Sequence, residues 1–599
     1  MSLLDALLLD PPRIDVWVAN RAGQNVAGSG TQMDPYDGST LTKFDTLMSG
    51  MPVNTCVHLG PGEFETAGFF DGMTSTYWRA KTGLRIVGSG IDVTKLKLVN
   101  GAASDQRVYT VATPLRTPLV TAVTSFGSLR NNYAGWVGFQ FVVGDTPLVV
   151  TEVGRWVVSG NNQSHTVKLF NADGTAVPNG SVSVNTSGKP AGQFAYATLA
   201  TPVTLAAGTT YALMSQETNG GDQWYDYSNT RITLAAAASG VVGAYGANPP
   251  PYTVIGAGQS YGPVSLRYGT MADFFELSDL TINCNLAGVS GATSTAGAVR
   301  IMGNHSRVVR VKVTNWGNKS TSQEGFVIAM LTGDPGSGVN SVTNCGIEEC
   351  IAVSPDASAA GKVTVLHVGG KEDATSAVEA FGLGPYIRNC FVDCGQTSDF
   401  SKDFRALSMA WCKGGVIEAN QVHNTKYGGP YQTATGARDL AVRNNTYRNV
   451  WKGPFWSMAS QGVQRLVVEG NSIELATGAP SSECAVQLHS TAPSGSYPHG
   501  NVVIRDNRIR YVDGGTGSAG GIKVWNAQNL LVRENTLELT PTLPERPLMN
   551  KNCGTAQYFE NRTPAGVLIR GYNETTSIFS SELETDAEDA FILGLIKKH

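Results

Sequence analysis

Residues 416–424 read VIEANQVHN, and the same short grammar returns along much of the chain. It is YIRNCFVDC at 386–394, LAVRNNTYRN at 440–449, LVVEGNSIEL at 466–475, VVIRDNRIRYV at 502–512 and LLVRENTLEL at 530–539. Weaker copies are LSDLTINC (277–284), VVRVKVTN (308–315) and GIEECIAV (346–353). The shared pattern is apolar-x-x-(Asn, Cys or apolar)-x-apolar. Aligned on its fourth position, one column runs Leu280, Val311, Cys350, Cys390, Asn420, Asn445, Asn471, Asn507, Asn535, at intervals of 25 to 40 residues. A solenoid explains such spacing, because its strands are fixed while the loops between them vary.

The run of asparagines has a physical reason. Stacked coils place equivalent side chains about 4.8 Å apart, where each amide donates to one neighbour and accepts from the other. Within each copy apolar and polar residues alternate, so one strand face is buried. Parallel strands joined by long loops, without intervening helices, predict an all-β right-handed parallel β-helix. The competing architecture, a sandwich of antiparallel hairpins, needs tight two-residue turns that the repeats lack.

Composition agrees. The 599-residue chain has 69 glycines and only 15% charged residues, which fits a β-rich, turn-dense protein. A net charge of −4 gives no electrostatic drive toward nucleic acid or acidic lipid, and no apolar run is long enough to span a membrane. The nine cysteines are scattered without a C-x-x-C pair, as expected of buried thiols. Cys412 and His423 lack zinc spacing and no acidic calcium-loop repeat occurs, so no cofactor is expected, with a lone structural calcium left open.

Upstream, VHLGPGEF (57–64) and GSGIDVTKL (88–96) supply Val57, Leu59, Pro61, Gly62 and Phe64, then Gly88, Gly90, Thr94 and Leu96. This pair of segments, preceded by a helix expected near 41–48, resembles the entry of pectate-lyase-like β-helix proteins. Over 111–269 the rhythm changes to alternating strands with Asp-Gly and Gly-Thr turns, notably HTVKLFNADGT (165–175) and TPVTLAAGTTYAL (201–213). That stretch resembles the jelly-roll and immunoglobulin-like modules found beside carbohydrate-active domains, and is expected as an antiparallel β-sandwich inserted between two coils. The expected plan is an N-terminal docking or oligomerisation segment (1–40), a capping helix with first coils (41–110), the sandwich (111–269), the main β-helix (270–540) and a strand and helix tail (541–599).

Site candidates come from the strands and loops that follow each coil. Trp411, Tyr431, Trp456 and Trp525, with His367, Phe455 and His489, recur at comparable places, and flat rings suit the apolar faces of sugars. Lys371, Glu372 and Asp373 lie in one loop, Asp403 and Arg405 in the next. Asp373 and Asp403 each stand seventeen residues before their ladder position, which places them as an acid and base or nucleophile pair. His423 beside Lys426 and Tyr427 offers a second acid–base group, with Lys426 and Arg405 available to a sugar carboxylate.

The whole pattern resembles phage tailspikes and related receptor-binding depolymerases. The resemblance implies a homotrimer that recognises and cleaves a surface polysaccharide, docked through its N-terminus on a virion tail or other extracellular surface. The N-terminal run MSLLDALLLDPP, interrupted by Asp5 and Asp10, reads as such a docking segment rather than a Sec signal. A secreted polysaccharide lyase or hydrolase, or a structural, adhesive β-helix protein, remains the alternative.

Overall fold

The computed structural model describes residues 14–23, 27–70, 81–99, 106–111, 117–144, 147–247, 252–270, 273–289, 295–321, 324–331, 342–369, 382–429, 437–453, 455–457, 462–476, 484–488, 499–511, 521–539 and 546–580. They form a right-handed parallel β-helix of three strand stacks, interrupted by one antiparallel sandwich.

The first stack begins with Ile14–Ala19, Thr55–Leu59 and Arg85–Gly88 and runs through Val416–Glu418 to Thr555–Phe559. The second includes Gly62–Thr66, Thr94–Leu98, Gln421–Tyr427, Thr446–Lys452 and Thr536–Leu539. The third passes through Thr295–Met302, Glu324–Leu331, Lys362–Gly369 and Phe404–Ala410, and continues later as Phe455–Ser457, Val486–Leu488, Ile522–Trp525 and Leu548–Lys551. Alternate residues of all three stacks meet in one interior, where Ile282, Val313, Ile347, Ile387, Ile417 and Val442 are fully buried.

The corner between the first and second stacks is where the asparagine column sits. Asn420, Asn445, Asn471 and Asn507 each donate from Nδ2 to Oδ1 of the next rung at 2.9 to 3.0 Å. The same oxygen accepts the main-chain N–H of the preceding rung, and Nδ2 also reaches a strand carbonyl such as Ile387 O or Ile417 O. These buried amides are therefore satisfied by one another. The residue before each rung turns the corner in the left-handed region, at φ +55° for Asn389 and Ala419, +56° for Asn444 and +63° for Gly470. Its N–H still bonds the next coil, as Ala419 does to Arg443 O.

The column runs one rung further than 535. Asn535 donates to Asn561 at 2.9 Å, and Thr555–Phe559 pairs with Ala527–Arg533. The main β-helix thus extends past 540, and 546–562 is a further coil instead of a separate tail. The N-terminal boundary moves as well. Ile14–Ala19 lies parallel to Thr55–Leu59 as the first strand of the stack, so the β-helix begins within 1–40. The expected terminal helix and residues 1–13 lie outside the described residues.

The entry motif acquires its reasons here. Helix α1, Leu41–Gly50, starts at Thr40, whose side chain accepts from Lys43 N, and buries Phe44 and Met48 over the first coils. Buried Asp45 is held by Thr66 Oγ1 at 2.6 Å and Ala67 N at 3.0 Å. A Cβ on Gly88 would lie 2.3 Å from Asp279 O, so only glycine allows that approach. Thr94 Oγ1 accepts Ser89 N and donates to the carbonyls of Leu59 and Gly60.

The sandwich leaves after Gln106–Val111 on the third stack, and the chain rejoins the first stack at Glu276–Asn283. Arg85–Gly88 pairs directly with Glu276–Asn283, so the stack closes beneath the insertion. Its two main sheets, of six and four strands, are antiparallel and enclose Phe139, Phe141, Val153, Leu169, Leu213 and Leu266. A buried polar knot braces them. Arg155 meets Glu217 twice at 2.9 Å, His165 lies between Glu217 (3.2 Å) and Asp222 (3.1 Å), and Asp222 accepts Thr186 Oγ1 at 2.8 Å.

The nine cysteines form no disulfide; all but Cys553 are buried. Burial pushes the thiol of Cys345 and that of Cys412 up to about 12, which makes both unreactive core groups.

Candidate active site

The outer face of the third stack gathers the polar side chains. In register across five coils, Phe326, Thr364, Arg405, Tyr427 and Lys452 form one axial row. A second row carries Arg300, Ala329, His367 and Ser408. The strands explain the placement: EGFVIAML, KVTVLHVG and FRALSMA each turn apolar residues inward and leave Glu324, Thr364 or Arg405 near the strand head.

Arg405 is the hub. Its Nη1 contacts both Glu324 oxygens, at 2.7 and 2.8 Å, while Nη2 approaches Asp403 Oδ2 at 3.5 Å. Glu324 also accepts from Thr364 Oγ1. Arg405 is only 4% exposed, whereas the carboxylates of Glu324 and Asp403 are 19% and 20% exposed. Asp403 Oδ1 is shielded and has no hydrogen-bond partner among the described residues. The buried guanidinium therefore holds two carboxylates on one surface, and one carboxylate oxygen is left unused.

Tyr427 continues this surface. Lys452 Nζ lies 5.0 Å from its ring centre, Lys426 Nζ 5.5 Å and the Arg405 guanidinium 5.9 Å. His367 packs on Phe326 at 4.9 Å and shares a 3.0 Å hydrogen bond with Ser408 Oγ. The strand Gln421–Tyr427 reaches the third stack by turning at Asn424, φ +53°.

That turn separates His423 from the cluster. His423 lies on the second stack, opposite Asp393 and Arg448, with Phe391 edge-on at 5.1 Å. Burial lowers its pKa, with Asp393 opposing and Arg448 adding to the shift, so the ring is neutral near pH 7. The expected grouping of His423 with Tyr427 fails because a corner intervenes. Trp411 is corrected too: at φ +47° it caps the strand Phe404–Ala410, packs on Ala410 and is 4% exposed, which leaves no open ring face for a sugar.

Trp525 lies further along the third stack, half-buried between Lys523 at 4.6 Å and Lys551 at 4.8 Å. Trp456 occupies the strand Phe455–Ser457, paired with Gln487. Lys371, Glu372, Asp373, Tyr431 and His489 lie outside the described residues. Sequence reasoning missed Glu324, Thr364, Phe326 and Lys452. Loop lengths differ between coils, so no fixed offset from the ladder reaches them; the signal available was a polar residue at the head of each apolar third-stack strand.

A hollow of about 370 Å³ lies elsewhere, on the first stack. Val416, Ala441, Val467 and Val503 floor it, and Asp439 on its rim is tied to Arg465. It lacks the convergent carboxylates of the third-stack surface.

No protein-family model matches this sequence, and no curated protein sequence does. Among solved structures the chain is similar to a glycoside hydrolase at 12% identity, over 92% of this chain and 96% of that one, with a TM-score of 0.33. It is similar to the Azotobacter vinelandii mannuronan C-5 epimerase AlgE6 A-module at 10% identity, over 88% and 94%, with a TM-score of 0.34. A third is the catalytic domain of a GH87 alpha-1,3-glucanase in complex with nigerose, at 10% identity, over 75% and 94%, with a TM-score of 0.21.

Proposed function

We propose that the third-stack surface around Arg405 binds a polysaccharide and cleaves it, with Asp403 as the proton-transferring carboxylate. The carrying observation is the convergence of Glu324 and Asp403 on one buried guanidinium, with Asp403 the more loosely held at 3.5 Å. Hydrolysis of a glycosidic bond needs two carboxylates flanking the scissile oxygen. Glu324, engaged by Arg405 and Thr364, is the fixed member; Asp403, 20% exposed and 3.5 Å from Arg405, is the member able to exchange a proton. Tyr427 is buried behind this surface, and the half-buried Lys426 beside it favours a glycan bearing carboxylates.

The cations around the Tyr427 ring support a second reading, elimination from a uronate, in which Lys426 neutralises the sugar carboxylate. Both readings are tested by incubation with alginate, pectin and bacterial capsule. New reducing ends without ultraviolet absorbance mark hydrolysis, and an absorbing unsaturated uronate marks elimination. Asp403→Asn lowers cleavage by about 10²–10⁴-fold with the fold retained, as expected for loss of an acid–base group. Full activity in that variant refutes the assignment.

The same reading takes the chain as a tailspike-like, homotrimeric surface protein, supported by its β-helix and by the leucine-rich segment 3–9, which Asp5 interrupts. Light scattering tests it: a mass near three chains is expected, and a monomer at micromolar concentration rejects it.

A further inference from the structure

The first two strands of the stack carry a cluster that the glycan surface does not use. Asp15 stands opposite Cys56 in the pairing of Ile14–Ala19 with Thr55–Leu59, and His58 follows two residues later on the same strand face. Val57 and Leu59 point the other way into the core, so this face is the outer one. One ligand atom from each of Asp15, Cys56 and His58 falls within 4.8 Å of the others.

We propose that Asp15, Cys56 and His58 bind a divalent cation of the zinc type. Carboxylate oxygen, imidazole nitrogen and thiolate sulfur form a mixed donor set that suits this borderline-soft ion and disfavours calcium or magnesium, which take oxygen ligands. Three protein ligands leave a fourth position for water on the solvent side, where Asp15 is 55% and His58 35% exposed.

The cluster is partly built for this. Trp17 stacks on His58, ring centres 4.7 Å apart and planes 14° apart, which fixes the imidazole plane. His58 Nε2 and Asp15 Oδ1 lie 2.7 Å apart as a hydrogen bond. Tetrahedral coordination asks this pair to part by roughly half an ångström or more, within reach of an exposed aspartate rotamer. Binding releases the thiol proton, while the neutral imidazole, ligating through Nε2, keeps its single proton on Nδ1.

The spacing explains why the motif is invisible along the chain. Cys56 and His58 form only C-x-H, and Asp15 joins them across forty residues through strand pairing. The consequence is a clasp, since the cation ties the first strand to the second and fastens the N-terminal end of the stack.

The test is titration of the full, metal-stripped chain with cobalt(II), then zinc competition. One equivalent is expected to bind with a thiolate-to-cobalt charge-transfer band and tetrahedral visible bands, both removed by zinc. Cys56→Ser abolishes the charge-transfer band, and His58→Gln, a change at the exposed side, weakens binding at least tenfold while circular dichroism stays unchanged. Zinc also protects the segment around 14–19 from limited proteolysis in the parent chain and not in His58→Gln. Absence of the band, or a band of equal strength in Cys56→Ser or His58→Gln, overturns the proposal; should Cys56→Ser fail to fold, His58→Gln alone decides.

Discussion

Asn420 donates its side-chain amide to Asn445 Oδ1 at 2.9 Å, and the same oxygen accepts the main-chain N–H of Asn420. Asn445 repeats the arrangement on Asn471. Each rung therefore satisfies two donors of the rung before it, in a place water does not reach.

Asn445→Leu strands both Asn420 donors in the interior. At about 1–3 kcal/mol for each buried group left unpaired, the loss is on the order of 3 kcal/mol. Chemical denaturation followed by far-ultraviolet circular dichroism checks it. A change below about 1 kcal/mol would mean the stack relaxes to admit water.

The ladder is also the part most legible in the sequence. Identical side chains recur in the corner because stacking demands it, so the fold follows from a column of asparagines. Asn561 escaped because the expected boundary lay before it. The candidate site was less legible for a physical reason. Arg405 and Asp403 were found as charges near a strand head, but Glu324 lies 81 residues from Arg405 and meets it only through two intervening loops of unequal length. Trp411 and His423 were misplaced because composition cannot show that a corner lies between two neighbours in sequence.

Ala419 occupies a left-handed corner at φ +55°, where glycine, asparagine or aspartate is the comfortable residue. The strain of a Cβ there is about 1–2 kcal/mol, partly offset by the entropy that glycine loses on folding. Ala419→Gly is expected to stabilise the β-helix by about 0.5–1 kcal/mol, read as a rise in the denaturation midpoint. A destabilised variant would show that the Cβ packs favourably in the corner.

The sandwich has its own pH dependence. Burial opposes charge on His165, but Glu217 outweighs it and the imidazole pKa is raised. Its contribution to stability is complete below the ordinary histidine value of about 6.5 and is lost as pH rises through the folded value. Burial also works against ionising Glu217 and Asp222; His165 and Arg155 overcome it for Glu217, as the N–H groups of Asn162 and Gln163 do for Asp222, so both pKa values are lowered. Those contributions are present above the ordinary carboxylate range and disappear as pH falls through the folded values. The melting temperature of the sandwich is therefore expected to peak between the two ranges, and His165→Gln should remove the decline on the alkaline side. An unchanged alkaline limb would assign that decline to another group.

The glycan surface makes a prediction that separates packing from charge. Tyr427 is buried between Lys426 and Lys452, so its ring packs beneath their charges and seats them for the ligand. Tyr427→Ala removes the ring and is expected to weaken binding of an acidic oligosaccharide about tenfold, or about 1.4 kcal/mol, at any ionic strength. Lys426→Ala removes a half-buried charge, and its effect should shrink as salt shortens the screening length to roughly 3 Å at 1 M. Calorimetric titrations of both variants at low and high salt check the pair. If both effects fade together with salt, the ring contributes no packing and Tyr427 acts only as a spacer between cations.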